Sequence, residues 1–259
     1  MLLGLTRRHC IMTGKRLTSV LTRRMSAMES PVRTSYVTPK RVHQHVNPLS
    51  QKYREPITLP NWSETFTRPE LPIHLDIGCA RGKYLNMVAE QNAETTNFIG
   101  VEIRQSVLEE ATEEAKLRGL RNIAFIHANM NFQQRLLLTS LPAPIQSVSI
   151  FHPDPWMKKR HYKRRLVTDE FVVELAQLLE SGTPIFVQTD VEELFEYMVE
   201  IFKQSKKYSF EPLETNPFTI PTDRESYVTK QGGDIYRIKV IVLPAEPEQE
   251  ASPAESSSN

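Results

Sequence analysis

Four short stretches of the chain join side chains that can do chemistry to turns that could present them. The first is LDIGCARG, residues 75–82. An acid, Asp76, closes an apolar run, and Gly78, Ala80 and Gly82 follow at alternate positions. Gly78 and Gly82 carry no Cβ, so the backbone there can approach a ligand closely. A dinucleotide site would want G-x-G-x-x-G to receive a pyrophosphate, and a carboxylate beside the turn would repel one. The same acid suits a cationic amino-acid moiety, such as the ammonium and sulfonium of S-adenosylmethionine. The second stretch is GVEIR, in which Glu102 can accept hydrogen bonds from both ribose hydroxyls of an adenosine cofactor. The third is HANM, in which the amide of Asn129 offers a donor and an acceptor to an adenine edge. The fourth is FHPDPWMKKRHYKRR, residues 151–165. There Asp154 lies between two prolines that restrict its backbone, and a stiff loop holding one carboxyl group suits positioning of a substrate. Six of the eight residues from 158 to 165 are Lys or Arg, with Trp156, His161 and Tyr162 interleaved. Cations for phosphates and flat rings for bases are the footprint of an RNA surface. Alone, such a run is also what a solvated face looks like.

These residues fall at the ends of apolar runs, which fixes the kind of scaffold. IHLDI (73–77), NFIGVEI (97–103), NIAFIH (122–127), SVSIF (147–151), PIFVQ (184–188) and IYRIKVIV (235–242) read as strands. Helices are expected over residues 83–91, 106–118, 132–138, 168–180 and 191–205, the last with its apolar residues on one face. Strands alternating with helices mean βαβ units and a mostly parallel sheet covered on both faces. In such a sheet, ligands sit at the carboxyl ends of the strands, where Asp76, Glu102, Asn129 and Asp154 stand in succession. One polar residue at a strand end is unremarkable; this succession is hard to ascribe to chance.

The flanks have other compositions. Residues 1–28 carry six Lys or Arg and no acid, with Ser, Thr and recurrent leucines, the make-up of an organellar transit peptide; a retained basic arm is the alternative. Residues 29–72 are spaced by seven prolines and should run extended. Residues 73–243 form the α/β domain. Residues 244–259, rich in Pro, Glu and Ser, should be a disordered tail. The formal net charge of +1 over 259 residues hides this segregation. No apolar stretch approaches the ~20 residues of a membrane span. Two cysteines, Cys10 and Cys79, make neither a disulfide framework nor a zinc site, and no metal is expected.

LDIGCARG, GVEIR, PDPWMKKRHYKRR, the Gln188-Thr189-Asp190 triplet, and Thr222-Asp223-Arg224-Glu225 before a final strand together resemble the tRNA (guanine-N7-)-methyltransferases of the bacterial type. The leading RVHQHVNPL is similar to plant and cyanobacterial members. The resemblance runs from about residue 41 to 242. Ala80 stands where a glycine is common, Asp76 where many members have Glu, and Asn129 where some have Asp. The resemblance implies a Rossmann-like class I S-adenosylmethionine-dependent methyltransferase fold, α/β, with a mostly parallel seven-stranded sheet and helices on both faces. It implies methyl transfer from S-adenosylmethionine to N7 of guanosine 46 in the variable loop of tRNA. It assigns Asp154 to catalysis. Asp76, Gly78, Gly82, Glu102, Asn129 and Asp154 would hold the cofactor. Lys158, Asp190, Thr222, Asp223, Arg224 and Glu225 would hold substrate. The basic run supplies Lys159, Arg160, Lys163, Arg164 and Arg165 for the tRNA backbone. A bacterial-type chain is expected to act as a monomer or homodimer without an obligate protein partner. Its expected location is an organelle, plastid before mitochondrion, with cytoplasm or nucleus as alternatives. Competing readings are a small-molecule methyltransferase, which has no use for the basic run; an RNA-binding homologue that has lost catalysis, which would tolerate decay of the acids; and a dehydrogenase, disfavoured by the glycine pattern.

Overall fold

A computed structural model describes residues 46–245, which fall in one compact unit. The basic arm 1–28, the front of the proline-spaced segment and nearly all of the acidic tail lie outside the described residues. Seven strands form one sheet: β1 (Ile73–Ile77), β2 (Asn97–Glu102), β3 (Ile123–His127), β4 (Ile145–Phe151), β5 (Pro184–Thr189), β6 (Tyr208–Pro212) and β7 (Tyr236–Val242). Their order is β3-β2-β1-β4-β5-β7-β6. The first five run parallel, and β7 is antiparallel to both of its neighbours. The strand order reverses between β1 and β4, the place where a doubly wound sheet opens a crevice. This is the strand order of the class I methyltransferase fold.

The helices are α1 (Trp62–Thr65), α2 (Lys83–Gln91), α3 (Gln105–Leu117), α4 (Met130–Leu138), α5 (Asp169–Leu178), α6 (Glu192–Gln204) and α7 (Asp223–Lys230). Alternation along each strand decides what each face packs against. Ile73, Leu75 and Ile77 point into the larger core, with Leu137 of α4, Phe171 and Leu175 of α5, and Met198 and Phe202 of α6. Phe98 and Phe151 face the other way, toward Tyr84, Leu85 and Val88 of α2. Trp62 and Phe66 carry the proline-spaced segment into the larger core.

Two elements escape a reading by periodicity. β6 is five residues long and only partly buried, so it shows no apolar run. α7 is largely polar, but Thr222 and Glu225 make a reciprocal capping box at its start. The loop expected after β4 instead coils into a 3-10 helix, Lys159–Arg164.

Candidate active site

At the carboxyl edge of the parallel strands lies a cavity of about 440 Å³, inside the range of small-ligand sites. Its walls include Gly78, Glu102, Arg104, Asn129, Asp154, Trp156, Lys163 and Arg164. The tips of β1 to β4 and the inner end of the basic run therefore meet at one opening. Pro48, Leu49 and Arg54 of the N-terminal segment complete the wall.

The turn after β1 is shaped by conformation as much as by space. Ala80 has φ 49°, a left-handed value that side chains with a Cβ resist, and a glycine would hold it without strain. Gly78 (φ 92°) faces the cavity with open space where a Cβ would stand. Gly82 answers a different need. A Cβ there would lie 2.6 Å from Ala111 Cβ and 2.7 Å from the Phe125 ring. Gly82 lets α2 close against α3 and β3; like Asp76, it lies behind the cavity wall and does not line it.

Asp76 is buried just below this turn. Ser149 Oγ donates to Asp76 Oδ1 at 2.6 Å. Burial raises the Asp76 pKa to about 7; the neighbouring Glu102 adds to the rise and the Ser149 bond opposes it. Cys79, whose thiol is pushed well above its usual range by burial and by both acids, is no nucleophile. Glu102 accepts from the Ala80 N–H at 3.1 Å and from the Arg104 N–H and Nε at 2.9 and 3.1 Å. These bonds orient its carboxyl group at the cavity. Asn129 is tied on both sides: Oδ1 caps α4 through the Asn131 N–H at 3.1 Å, and Nδ2 donates to the Pro48 carbonyl at 2.8 Å. It lines the cavity with its amide already engaged, so it shapes the wall more than it offers a free edge.

Asp154 is exposed and lines the cavity, and its loop is anchored on both sides. On one side, the His152 N–H donates to the Gln188 carbonyl at 2.7 Å. The Gln188 amide donates to His152 Nε2 at 2.9 Å, so Nδ1 carries the proton and donates to Asp190 at 3.0 Å. Burial lowers the His152 pKa against the pull of Asp190. With Nε2 occupied, His152 is a strut and not a base. On the other side, Arg165 Nε donates to the Pro155 carbonyl at 2.9 Å.

Arg165 also overturns its expected role. It is only 2% exposed, with its guanidinium between the rings of Tyr162 and Tyr197 at 3.7 and 4.3 Å. A group sealed in this way cannot meet a phosphate. The planar, weakly hydrated guanidinium suits such a sandwich, and it pins the basic 3-10 helix to α6. Two of the interleaved rings are likewise engaged within the protein: Tyr162 donates to Glu193 at 2.8 Å, and Trp156 has Arg164 4.9 Å from its centroid. Lys158, Lys159, Arg160 and Lys163 are exposed; Lys163, Arg164 and Arg165 line the cavity, Arg165 with its guanidinium buried between the two rings.

The expected substrate residues divide in two. Asp190 is held by Arg224 at 2.6 Å and by His152; burial alone would raise it, but these bonds outweigh burial and hold it at about 2. Asp223 and Arg224 stand in solvent, Asp223 paired with Lys83 at 3.4 Å. Thr222 and Glu225 face inward. Glu225 accepts from Gln188 at 3.0 Å, Asn216 at 3.2 Å and Arg237 at 2.5 Å, and Thr222 caps its helix. Their geometry ties α7 to β5 and β7, so they brace the site and present Arg224. Sequence reasoning passed over His74, Arg104, Ser149, His152 and Arg237. The histidine of FHPDP stood beside Asp154 and could have been found, whereas Arg237 is brought to Gln188 only by the β5–β7 register.

The family described as "Putative methyltransferase" matches residues 70–238. The tRNA (guanine-N(7)-)-methyltransferase of Microcystis aeruginosa is 46% identical over 202 residues, 76% of this chain and 95% of that one. Its counterpart in Synechococcus elongatus is 42% identical over 210 residues, 80% of this chain and 98% of that one. Among solved structures, the 16S rRNA methyltransferase KamB superposes with a TM-score of 0.49 at 15% identity, over 70% of this chain and 92% of that one. At such identity over nearly the full length of its relatives, this chain belongs to the tRNA (guanine-N7-)-methyltransferase family.

Proposed function

We propose that this protein transfers a methyl group from S-adenosylmethionine to N7 of guanosine 46 in the variable loop of tRNA. The observation that carries the reading is the shared cavity, in which Glu102 and Asp154 stand together with Lys163 and Arg164. The residues fit the cofactor. Gly78 leaves open space beside the turn, and Glu102 is oriented at the second strand tip, where ribose hydroxyls bind. Asp76, close under the turn, has no lysine or arginine in an ion pair with it among the described residues. When bound, the cofactor supplies an electrophilic methyl on a sulfonium.

Guanine N7 has a lone pair and no proton, so the site needs no general base. The occupied His152 and the neutral Cys79 are consistent with that. The site must place N7 in line with the methyl group. Asp154 can accept hydrogen bonds from guanine N1–H and the exocyclic amine, and can favour the positive charge that develops on the ring. The anchors on His152 and Pro155 keep Asp154 in place. Freeing a variable-loop guanosine from its tertiary contacts costs about a few kcal/mol. Phosphate contacts from Lys158, Lys159, Arg160, Lys163 and Arg164 can offset this.

The test is Asp154→Asn, which keeps the shape of the side chain. Turnover should fall by roughly 10²–10³-fold, as for loss of one group that stabilises transition-state charge, while the affinity for tRNA holds. Undiminished turnover rejects the assignment.

The protein is further proposed to act without an obligate partner, as a monomer or homodimer, and in an organelle, plastid before mitochondrion. The acid-free basic composition of residues 1–28 supports the location, as does the cyanobacterial source of the relatives. Residues 1–28 fused to a reporter should be imported by isolated chloroplasts; import by mitochondria alone contradicts plastid targeting.

A further inference from the structure

Asp76 is one end of a buried chain of four polar side chains. Parallel register sets His74 opposite Ser147 and Asp76 opposite Ser149. His74 and Asp76 are two residues apart on a strand, so they share a face. Ser149 Oγ lies 2.6 Å from Asp76 Oδ1 and 3.0 Å from His74 Nε2, and Ser147 Oγ lies 2.8 Å from His74 Nδ1. All four residues are buried. Both imidazole nitrogens therefore meet hydroxyl groups, and burial lowers the His74 pKa to about 3, which keeps the ring neutral.

A neutral imidazole carries one proton, so the chain has two orderings. With Asp76 ionised, Ser149 donates to Asp76, His74 Nε2–H donates to Ser149, and Ser147 donates to Nδ1. With Asp76 protonated, every bond reverses: Asp76 donates to Ser149, Ser149 to Nε2, and Nδ1–H to Ser147. Passing from the second state to the first shifts one proton at each link, and a single proton leaves the protein. The groups facing Asp76 favour its protonated form in the absence of a ligand. Glu102 on β2 repels its charge, the Cys79 thiol and the Tyr84 phenol on α2 are neutral, and among the described residues no lysine or arginine pairs with it.

We propose that Ser149 and His74 are positioning residues of the cofactor site, forming a reversible hydrogen-bond chain that aims the Asp76 carboxyl group and reverses when a cationic cofactor replaces its proton. This rests on the S-adenosylmethionine reading of the site and deepens it. Binding then releases a proton, and His74 changes tautomer while staying uncharged.

The test uses the full chain and S-adenosylhomocysteine, which keeps the α-ammonium group. Calorimetry in two buffers of different ionisation heat should find partial proton release near pH 7 that approaches one proton as pH falls, with the Kd rising about tenfold per pH unit where release is complete. Ser149→Ala removes the donor that favours the charged form. It should displace this pH profile to higher pH and leave tRNA affinity unchanged, whereas Ser149→Thr should restore it. ¹⁵N-histidine NMR on the unaltered protein needs no variant: His74 should carry its proton on Nδ1 when free at pH 6 and on Nε2 when bound. Tight binding with no proton release, or with the same His74 tautomer before and after, overturns the proposal and leaves the site reading standing. Failure of the unaltered protein to bind S-adenosylhomocysteine overturns the site reading itself.

Discussion

Replacing Arg165 by lysine separates a clamp from a phosphate contact, because lysine keeps the charge and loses the planar fork. Arg165 contributes two ring stacks, at 3.7 and 4.3 Å, and one bond to the Pro155 carbonyl. The stacks are worth about 1 kcal/mol each, a value between those of exposed and fully desolvated cation–ring pairs. Leaving the carbonyl without its donor costs about 1–3 kcal/mol. Arg165→Lys should therefore destabilise the protein by roughly 3–5 kcal/mol in urea unfolding, since lysine recovers little of this. Where the variant remains folded, turnover should fall, because one anchor beside Asp154 is gone. The salt dependence of tRNA binding should not change, because a sealed guanidinium releases no counterion. Lys163→Ala is the contrast. It removes an exposed cation at the cavity and should lower the log–log salt slope by about 0.7–0.9, the value for one phosphate contact. If Arg165→Lys lowers the slope as Lys163→Ala does and leaves stability intact, the clamp is refuted and Arg165 belongs to the RNA surface.

Three other outcomes follow from the geometry. Ala80→Gly relieves a left-handed residue but adds chain entropy, so stability should stay level or rise by about 1 kcal/mol; a clear loss in thermal melting contradicts the strain at Ala80. Gly82→Ala drives a Cβ into Ala111 and Phe125 and should cost about 2–4 kcal/mol, with a smaller loss for Gly78→Ala, where space is open; equal losses would contradict the packing role of Gly82. Asp190 is held at about 2 when folded, below its ordinary 3.8, so its stabilisation is complete above pH 4 and is lost as pH falls through 2. The difference is about 2 kcal/mol, and Asp190→Asn should flatten that part of the acid limb; an unchanged limb rejects the Arg224–Asp190–His152 bracing.

The scaffold was legible wherever a buried strand or helix face imposes an apolar period. β1 to β5 and α2 are plain in the residues because both faces of the parallel sheet are covered. β6 was not, because a short, half-buried strand at the end of the sheet needs no apolar run. The acids at the strand tips were legible from their positions alone. What the sequence did not disclose was which polar groups are committed to one another. Arg165 looks like its neighbours in KRHYKRR, and only folding brings Tyr197 onto it. Thr222 and Glu225 carry the T-x-x-E spacing of a capping box, yet beside an active site the same letters also read as ligand contacts. His74 sits in an apolar strand and gains meaning only from the β1–β4 register.

The acids at the strand tips and the basic ledge are proposed to serve one reaction at a tRNA guanine. The most direct measurement is incubation with unmodified tRNA and S-adenosylmethionine labelled in the methyl group, followed by chain cleavage at 7-methylguanosine. Label is expected at one variable-loop position, with little or none from Asp154→Asn. Cofactor binding without label in tRNA, or label at another atom or in a small molecule, would contradict it.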